Sequence, residues 1–319
     1  MTQLTISTSF DALSRTETPV RAESPARSQE TRHYRIGAVS VSLRSDLAGV
    51  HDDFHALYRT YRIDRAPSDA FQIDVVAKRS WRTGRKYFHV FGNGEELSTT
   101  QRPDDVVPHV EWVVNNLIAR YLPGHLQLHA SVMARYGVGV IFPGSPGQGK
   151  STLAAGLLAC GWSYLSDEFA LINPDTQLLF PYPKALCIKA GSFDVVRGLG
   201  LPIDLTRVYR KGIKGRVAML NPLAVRSDVV PESCPVGLVV FPEYGHGEPP
   251  VMEPLSRAQA VFELTRVSFN FIKFRRGGVD LLVDVVRRAR CFRLRTGDLV
   301  RTCTLIERCL QDKSAEGAR

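Results

Sequence analysis

The residues best suited to chemistry lie in one short turn. Residues 144–151 read Gly-Ser-Pro-Gly-Gln-Gly-Lys-Ser and fit the pattern G-x-x-x-x-G-K-[ST] of loops that bind phosphate. Gly144, Gly147 and Gly149 can adopt backbone angles that turn successive N–H groups inward around an anion. A helix that begins near Lys150 would add its free N–H groups and the positive end of its dipole. The turn therefore predicts a site for the phosphates of a nucleotide; a glycine-rich turn without a ligand is the alternative.

Individual residues of the turn have expected roles. Lys150 should bridge the outer phosphates, and the hydroxyl of Ser151 should ligate Mg²⁺. Pro146 has no N–H group, so the loop has one donor fewer there. The predicted nucleotide-binding residues are Gly144, Ser145, Pro146, Gly147, Gln148, Gly149, Lys150, Ser151 and Thr152.

Two carboxylates follow the next predicted strand. Residues 162–166 are apolar and aromatic enough for a short strand, which ends in Asp167 and Glu168. A strand–loop–helix–strand unit is right-handed, so this strand should run parallel to the strand that carries the turn. Ligands bind at the carboxyl edge of such sheets, which predicts that Asp167 and Glu168 lie near the phosphates and Mg²⁺. An exposed acidic turn is the alternative.

Apolar runs on both sides of the turn predict the elements that hold it. Residues 138–143 form a strand before it, and residues 152–160 form a helix that stops at Gly161. Residues 126–133 alternate as a further strand, which includes His129. A turn at Tyr136 and Gly137 would join the two strands in a β-hairpin.

The remaining chain divides into a tail and two predicted domains. Residues 1–31 are rich in Ser and Thr and predict a disordered tail. Residues 32–100 predict a small α+β N-terminal domain in which nothing looks catalytic, and residues 101–319 form the nucleotide-binding domain. In its second half we expect strands at 235–241 and 291–294 and helices at 257–266, 278–288 and 298–310.

The composition limits the classes of protein to which the chain can belong. The chain has 319 residues, of which 44% are hydrophobic and 23% charged, and no apolar run approaches the roughly 20 residues of a membrane helix. The N-terminus lacks the apolar segment of a secretory signal. Six cysteines form no C-x-x-C pair and indicate reduced core thiols. We therefore expect a cytoplasmic protein without a membrane partner.

Positive charge is concentrated towards the C-terminus. The net charge is +9, and from Arg257 onward 14 Lys and Arg residues stand against 7 Asp and Glu residues. Such a surface can hold a nucleotide or an acidic protein, or it can be a solvated helical face. No recognised nucleic-acid module accompanies it, so nucleic acid is not the expected partner. The basic segment 207–216 could be a mobile lid over the transferring phosphate or a solvated hairpin tip.

Residues 128–151 and 160–168 together resemble the catalytic domain of HPr kinase/phosphorylase. They contain a His on the hairpin strand, a Tyr-Gly-x-Gly turn, the phosphate loop and an acidic pair after the next strand. The rest of the chain matches poorly, which places it nearer the divergent HPr kinase-related kinases. The resemblance implies an α/β fold, namely a P-loop nucleotide-binding domain of the HPr kinase/PEP carboxykinase-like type with a small α+β N-terminal domain.

The resemblance also implies roles for single residues. Asp167 matches the first carboxylate of the family's pair, whose members serve as general base and metal ligand, and Glu168 replaces the second Asp. Ser151, Asp167 and Glu168 would thus hold the metal. His129 matches a family His, although a structural hydrogen bond is an equal explanation for it. Cys187 stands where the family has Glu, which weakens the expectation of a second Mg²⁺ and of a phosphorylase half-reaction.

These residues together predict a kinase that uses ATP and Mg²⁺. The catalytic residues would be Asp167, Glu168 and His129, and the acceptor would be a hydroxyl, such as that of a Ser, on a protein or a small molecule. The alternative is a nucleotide-binding regulatory ATPase that acts through a protein partner, and a degenerate binding protein is a third reading. The chain could also form a homo-oligomer.

Overall fold

The computed structural model describes residues 30–145, 147–211, 215–245, 249–274 and 277–316, with residues 312–316 as backbone alone. The predicted tail lies outside the described residues as far as residue 29, and the first strand begins at Glu30. Pro146 also lies outside them. The fold is mixed α/β.

The strands are β1 (Glu30–Ile36), β2 (Val39–Ser45), β3 (Arg62–Ile63), β4 (Phe71–Arg79), β5 (Lys86–Gly92), β6 (Glu95–Thr100), β7 (Leu126–Arg135), β8 (Val138–Pro143), β9 (Ser163–Ser166), β10 (Phe169–Ile172), β11 (Leu178–Phe180), β12 (Leu186–Lys189), β13 (Val208–Arg210), β14 (Arg216–Leu220), β15 (Cys234–Tyr244), β16 (Val251–Pro254) and β17 (Arg290–Thr296). The α-helices are α1 (Ala48–Tyr58), α2 (Val106–Tyr121), α3 (Lys150–Ala159), α4 (Phe193–Gly198), α5 (Pro222–Val225), α6 (Arg257–Val267), α7 (Gly277–Arg288) and α8 (Leu299–Glu316).

The described chain forms two compact units. The N-terminal unit comprises the described parts of residues 1–35, 40–118 and 206–217. The C-terminal unit comprises the described parts of residues 36–39, 119–205 and 218–319.

A six-stranded sheet organises the N-terminal unit, in the order β3-β1-β2-β4-β5-β6. β2 pairs with β4 in parallel, whereas β4, β5 and β6 form an antiparallel meander. A basic turn joins β4 to β5. Helix α1 buries Val50, Phe54 and Tyr58, and the Phe54 ring meets Tyr34 of β1 edge-on at 5.0 Å between ring centroids.

A larger mixed sheet organises the C-terminal unit, in the order β11-β10-β7-β8-β15-β17-β16, with β9 also paired to β7. β8, β15 and β17 are parallel neighbours, which is the arrangement expected of strands buried on both faces. Side chains alternate along β15: Leu238 and Val240 join one core with α3 and α8, whereas Val239 joins a second core with α6 and α7. Helices thus cover both faces of the sheet.

The hairpin before the glycine-rich turn forms as predicted. β7 and β8 pair antiparallel from Arg135 and Val138 onward, and the turn residues Tyr136 and Gly137 have φ values of 55° and 73°. Positive φ at both central residues is the signature of a type I′ turn, which matches the twist of a two-stranded ribbon.

β9 runs parallel to β8, as predicted, but it pairs with β7 and not with β8. Both β8 and β9 pair antiparallel with β7, so β8 and β9 point the same way with β7 between them. Their carboxyl ends consequently lie at the same edge of the sheet, as the sequence predicts.

The described cysteines include all six of the sequence, and each is a free thiol. Cys187, Cys234, Cys291 and Cys303 are buried, as the sequence predicts, whereas Cys160 is exposed. Among the residues that the structure describes, no helix combines the length and apolar character that crossing a bilayer requires.

Candidate functional site

The glycine-rich turn links the end of β8 to the start of α3, and glycine is needed in it on conformational grounds. Gly147 and Gly149 have φ values of 101° and 78°, a region that residues with a Cβ seldom adopt. Gly149 is the residue that caps α3, and as a glycine it has no side chain that could bond to the amides at the helix start. Helix starts that bind anions present such amides to the ligand.

Lys150 folds back over the turn. Its Nζ donates to the carbonyl oxygens of Gly144 at 2.7 Å and Ser145 at 2.8 Å, and the residue is only 8% exposed. The cation is thus held within the turn by two neutral acceptors. An anionic ligand would be a stronger partner than either carbonyl, because it adds the attraction of a full opposite charge to the hydrogen bond.

The side chain of Gln148 closes the inner side of the turn. A Cβ on Gly144 would overlap the Gln148 Oε1 atom, so the absence of a side chain at Gly144 leaves room for the side-chain amide of Gln148. That oxygen is buried and has no hydrogen-bond partner among the described residues. The backbone N–H of Gly144 donates to the carbonyl of His129 at 3.2 Å, which ties the turn to β7.

The acidic pair interrupts a strand instead of following its free end. β9 and β10 lie end to end along the same edge of β7, and Asp167 and Glu168 are the two residues between them. The hydroxyl of Ser166 accepts hydrogen bonds from the N–H groups of Glu168 at 3.3 Å and Phe169 at 3.1 Å. This local turn satisfies the backbone where the ladder breaks and directs the Asp167 side chain inward.

Asp167 is 6% exposed and lies near β7, through Ser131, and near the start of α3, through Ser151. The hydroxyl of Ser131, on β7, donates to its Oδ1. Burial raises the pKa of Asp167 above its usual range, and the charge of Lys184 and hydrogen bonds from Ser131 and Ser151 oppose that rise. The hydroxyl of Ser151, the first residue after Lys150, therefore lies beside the Asp167 carboxylate, with which it is expected to share Mg²⁺.

Lys184 is a member of this cluster that the sequence did not reveal. It is 1% exposed, its Nζ donates to the carbonyl of Ala185 at 3.1 Å, and its positive charge acts on Asp167. A lysine that is fully buried has a charged partner in almost every case. The signal in the sequence is weak, because a Lys between Pro183 and Ala185 in a segment without periodicity looks like a surface residue.

Glu168 and His129 form a separate, more accessible pair. The distance from His129 Nε2 to Glu168 Oε1 is 3.8 Å, and the two side chains are 18% and 21% exposed. The His129 ring also meets the Phe269 ring edge-on at 5.8 Å between centroids. The two predicted carboxylates thus have different surroundings: Asp167 is buried against hydroxyls and a lysine, whereas Glu168 is half-buried beside an imidazole.

Thr152 and Cys187 are two further residues that the sequence singles out. Thr152 shares a hydrogen bond of 2.8 Å with the hydroxyl of Ser192. Cys187 is buried and Lys189 is exposed at the end of β12.

Carboxylates of the N-terminal unit hold the described part of the basic segment 207–216. Arg207 pairs with Asp53 at 3.1 Å, and the N–H of Arg210 donates to Asp105 at 2.8 Å. Lys211 is 5% exposed and its Nζ lies 3.6 Å from Oε2 of the buried Glu111. Residues 212–214, at the tip of the predicted lid, lie outside the described residues.

Within the described ranges, no cluster of three or more His, Cys, Asp or Glu residues is arranged to hold a metal ion. Ser151 and Asp167 offer one hydroxyl and one carboxylate, which are hard oxygen donors of the kind that Mg²⁺ prefers. Mg²⁺ commonly binds through one or two carboxylates and completes its shell with phosphate oxygens and water. The two side chains therefore fit Mg²⁺ brought in by a phosphate ligand better than a metal held by protein alone.

No protein-family model matches the chain, and no curated protein is significantly similar to it.

Proposed function

We propose that the chain is an ATP- and Mg²⁺-dependent kinase that resembles HPr kinase and transfers the γ-phosphate of ATP to a hydroxyl, such as that of a Ser, on a protein or a small molecule. Its C-terminal unit would act as a P-loop nucleotide-binding domain. The observation that carries the proposal is the meeting of Ser151 with the buried carboxylate of Asp167, beside a glycine-rich turn that holds the cation of Lys150.

Phosphate binding would use the turn and its lysine. The amides at the start of α3 would donate to the phosphate oxygens, and Lys150 Nζ would exchange the carbonyls of Gly144 and Ser145 for the outer phosphates. The distance moved is small, because the lysine already lies within the turn. Bound Mg²⁺, held by Ser151 and Asp167, would neutralise part of the charge on the phosphates.

Asp167 is the residue proposed to accept the proton of the acceptor hydroxyl. As the acceptor oxygen forms a bond to the γ-phosphorus and the bond to ADP breaks, the hydroxyl proton passes to the Asp167 carboxylate. Without a metal, burial raises the pKa of this carboxyl and so makes it a stronger base than an exposed Asp, whereas a bound Mg²⁺ would act on the pKa in the opposite direction. Lys184 and the two hydroxyls keep the charged form accessible by opposing that rise.

The fate of the γ-phosphate tests the proposal. Purified protein would be incubated with γ-labelled ATP, Mg²⁺ and a heat-treated cell extract separated into macromolecular and small-molecule fractions. We expect label in an organic phosphate that is stable to acid and labile to base, as a phosphoserine-type ester is. Asp167→Asn should lower the transfer by about 100-fold or more, the usual contribution of a general base.

Glu168→Gln is the matched control, because it removes a neighbouring charge at a more exposed position. It should lower the transfer less than Asp167→Asn does. Label that the wild-type protein releases as inorganic phosphate alone, whatever fraction is added, would contradict the kinase and favour the regulatory ATPase. Full transfer by Asp167→Asn would show that this residue is not the base.

A further inference from the structure

An exposed aromatic ring lies beside the glycine-rich turn. Tyr244 is the last residue of β15 and is 63% exposed. Its Cδ2 atom is 3.9 Å from the position that a Cβ on Gly149 would take. Gly149 is the residue that caps α3, so the ring borders the place where the turn becomes helix.

The topology of the sheet fixes this position. β15 and β8 are parallel neighbours, so the end of β15 and the start of the turn lie at the same edge. Along β15, Leu238 and Val240 face the core that α3 shares. Tyr244 lies four residues beyond Val240 and so projects to the same side, past the edge of the sheet and next to the start of α3.

Strand pairing holds the backbone under the ring. The parallel register of β15 and β17 continues to its last pair, Tyr244 with Thr296. The Thr296 hydroxyl donates to the carbonyl of Glu243 at 3.2 Å, and the Glu243 carboxylate lies 3.4 Å from Arg293 Nε. The backbone that carries the ring is thus held by strand pairing and need not become ordered when the ring meets a flat ligand.

We propose that Tyr244 stacks on the base of the nucleotide whose phosphates occupy the glycine-rich turn. The inference rests on the proposed function, since it requires a nucleotide in that turn. In a nucleotide a single sugar separates the base from the first phosphate, so a base can reach a ring that borders the turn. Stacking needs a π-face and no hydrogen-bond pattern, which predicts tolerance among purines.

Two ligands that share a triphosphate, of which only one has a base, distinguish the contribution of the base to the affinity from that of the phosphates. The Kd of Mg²⁺–ATP and of Mg²⁺–tripolyphosphate would be measured by calorimetry for the wild type, Tyr244→Ala and Tyr244→Phe. We expect Tyr244→Ala to weaken ATP binding by about tenfold, within the range found for removed base-stacking rings, and to leave tripolyphosphate binding unchanged. Tyr244→Phe keeps the ring and should bind ATP as the wild type does.

Tyr121→Ala is the matched control, because Tyr121 is also exposed, at 53%, and ends α2 instead of bordering the turn. It should change neither Kd. Equal weakening of both ligands by Tyr244→Ala would overturn the proposal, since the ring would then support the turn and not the base. Unchanged ATP binding by Tyr244→Ala would also overturn it. If the wild type binds neither ligand at millimolar concentration, the proposed function itself fails, and the stacking proposal with it.

Discussion

At the scale of single residues, the site depends on how two adjacent carboxylates differ. Asp167 is buried against the hydroxyl of Ser131 and the charge of Lys184, whereas Glu168 remains half-buried beside His129. The sequence predicts that both lie at the carboxyl edge of the sheet. It does not distinguish them, because the break between β9 and β10 that turns Asp167 inward depends on the hydroxyl of Ser166, a detail of local geometry.

Lys184 should stabilise the fold through Asp167. Lys184→Met removes a buried cation and leaves the carboxylate with less compensation, so we expect a loss of about 3–5 kcal/mol in the free energy of unfolding. Urea unfolding of Lys184→Met, Asp167→Asn and the double variant would measure it. The double variant should lose clearly less than the sum of the single losses, because the two charges interact.

Lys189→Met is the control for this pair, since Lys189 is an exposed lysine in the same region of the chain. Its free energy of unfolding should stay within about 0.5 kcal/mol of the wild type. Additive losses in the Asp167 and Lys184 cycle would show that the two charges do not interact.

At the scale of elements, the close approach of α3 and α8 sets the position of the turn. Gly156, in the middle of α3, leaves no room for a side chain: a Cβ there would lie 2.8 Å from Leu299 Cδ1 and 3.1 Å from Cys303 Sγ, both on α8. The helix that starts with Lys150 is thus fixed against a second helix as well as against the sheet. The residues at its start depend on that packing for their position.

Gly156→Val tests this packing. The branched side chain would force apart α3 and α8, so we expect the free energy of unfolding to fall by about 1–3 kcal/mol, as overpacked cores do. Chemical denaturation would measure the change. At Gly191 a Cβ would meet nothing within 4 Å, and Gly191→Val should therefore have a much smaller effect. If Gly156→Val were as stable as the wild type, α8 could move away from α3 without a measurable loss of free energy.

The sequence predicts the elements around the turn well and the distant pairings poorly. The β7–β8 hairpin, α3, β9, α6 and α7 follow from local patterns, and the structure has each of them. β10, β11 and β12 are three or four residues long and were not predicted, because strands this short carry too little alternation to be recognised. That β7 separates β8 from β9 depends on long-range pairing, which a pattern of side chains does not encode.

At the scale of the whole molecule, stability should depend on pH through a buried histidine of the N-terminal unit. His109 is 8% exposed, and its Nδ1 shares a hydrogen bond of 2.6 Å with the hydroxyl of Ser98. Burial lowers the pKa of His109 below its ordinary value of about 6.5; Asp105 opposes the change, and Lys211 adds to it. The folded protein thus keeps this imidazole neutral where the unfolded chain would protonate it.

Acidification should therefore destabilise the protein through His109. As the pH falls below about 6.5, the unfolded chain binds more protons than the folded one at this site, so the free energy of unfolding falls until the lowered folded-state pKa is reached. His109→Gln does not titrate, and its stability should fall less between pH 7.5 and pH 5.5, as measured by urea unfolding. An equal fall in both proteins would assign the pH dependence to other groups.

The central claim is that the glycine-rich turn, Ser151 and Asp167 form one site for a nucleotide and Mg²⁺. Calorimetric titration of ATP, with and without Mg²⁺, into the wild type, Lys150→Ala and Asp167→Asn tests it most directly. We expect Mg²⁺ to tighten ATP binding to the wild type. Lys150→Ala should weaken ATP binding both with and without the metal. Asp167→Asn should remove only the increase in affinity that Mg²⁺ brings. An unchanged gain from Mg²⁺ in Asp167→Asn, or no binding of ATP by the wild type at millimolar concentration, would contradict the claim.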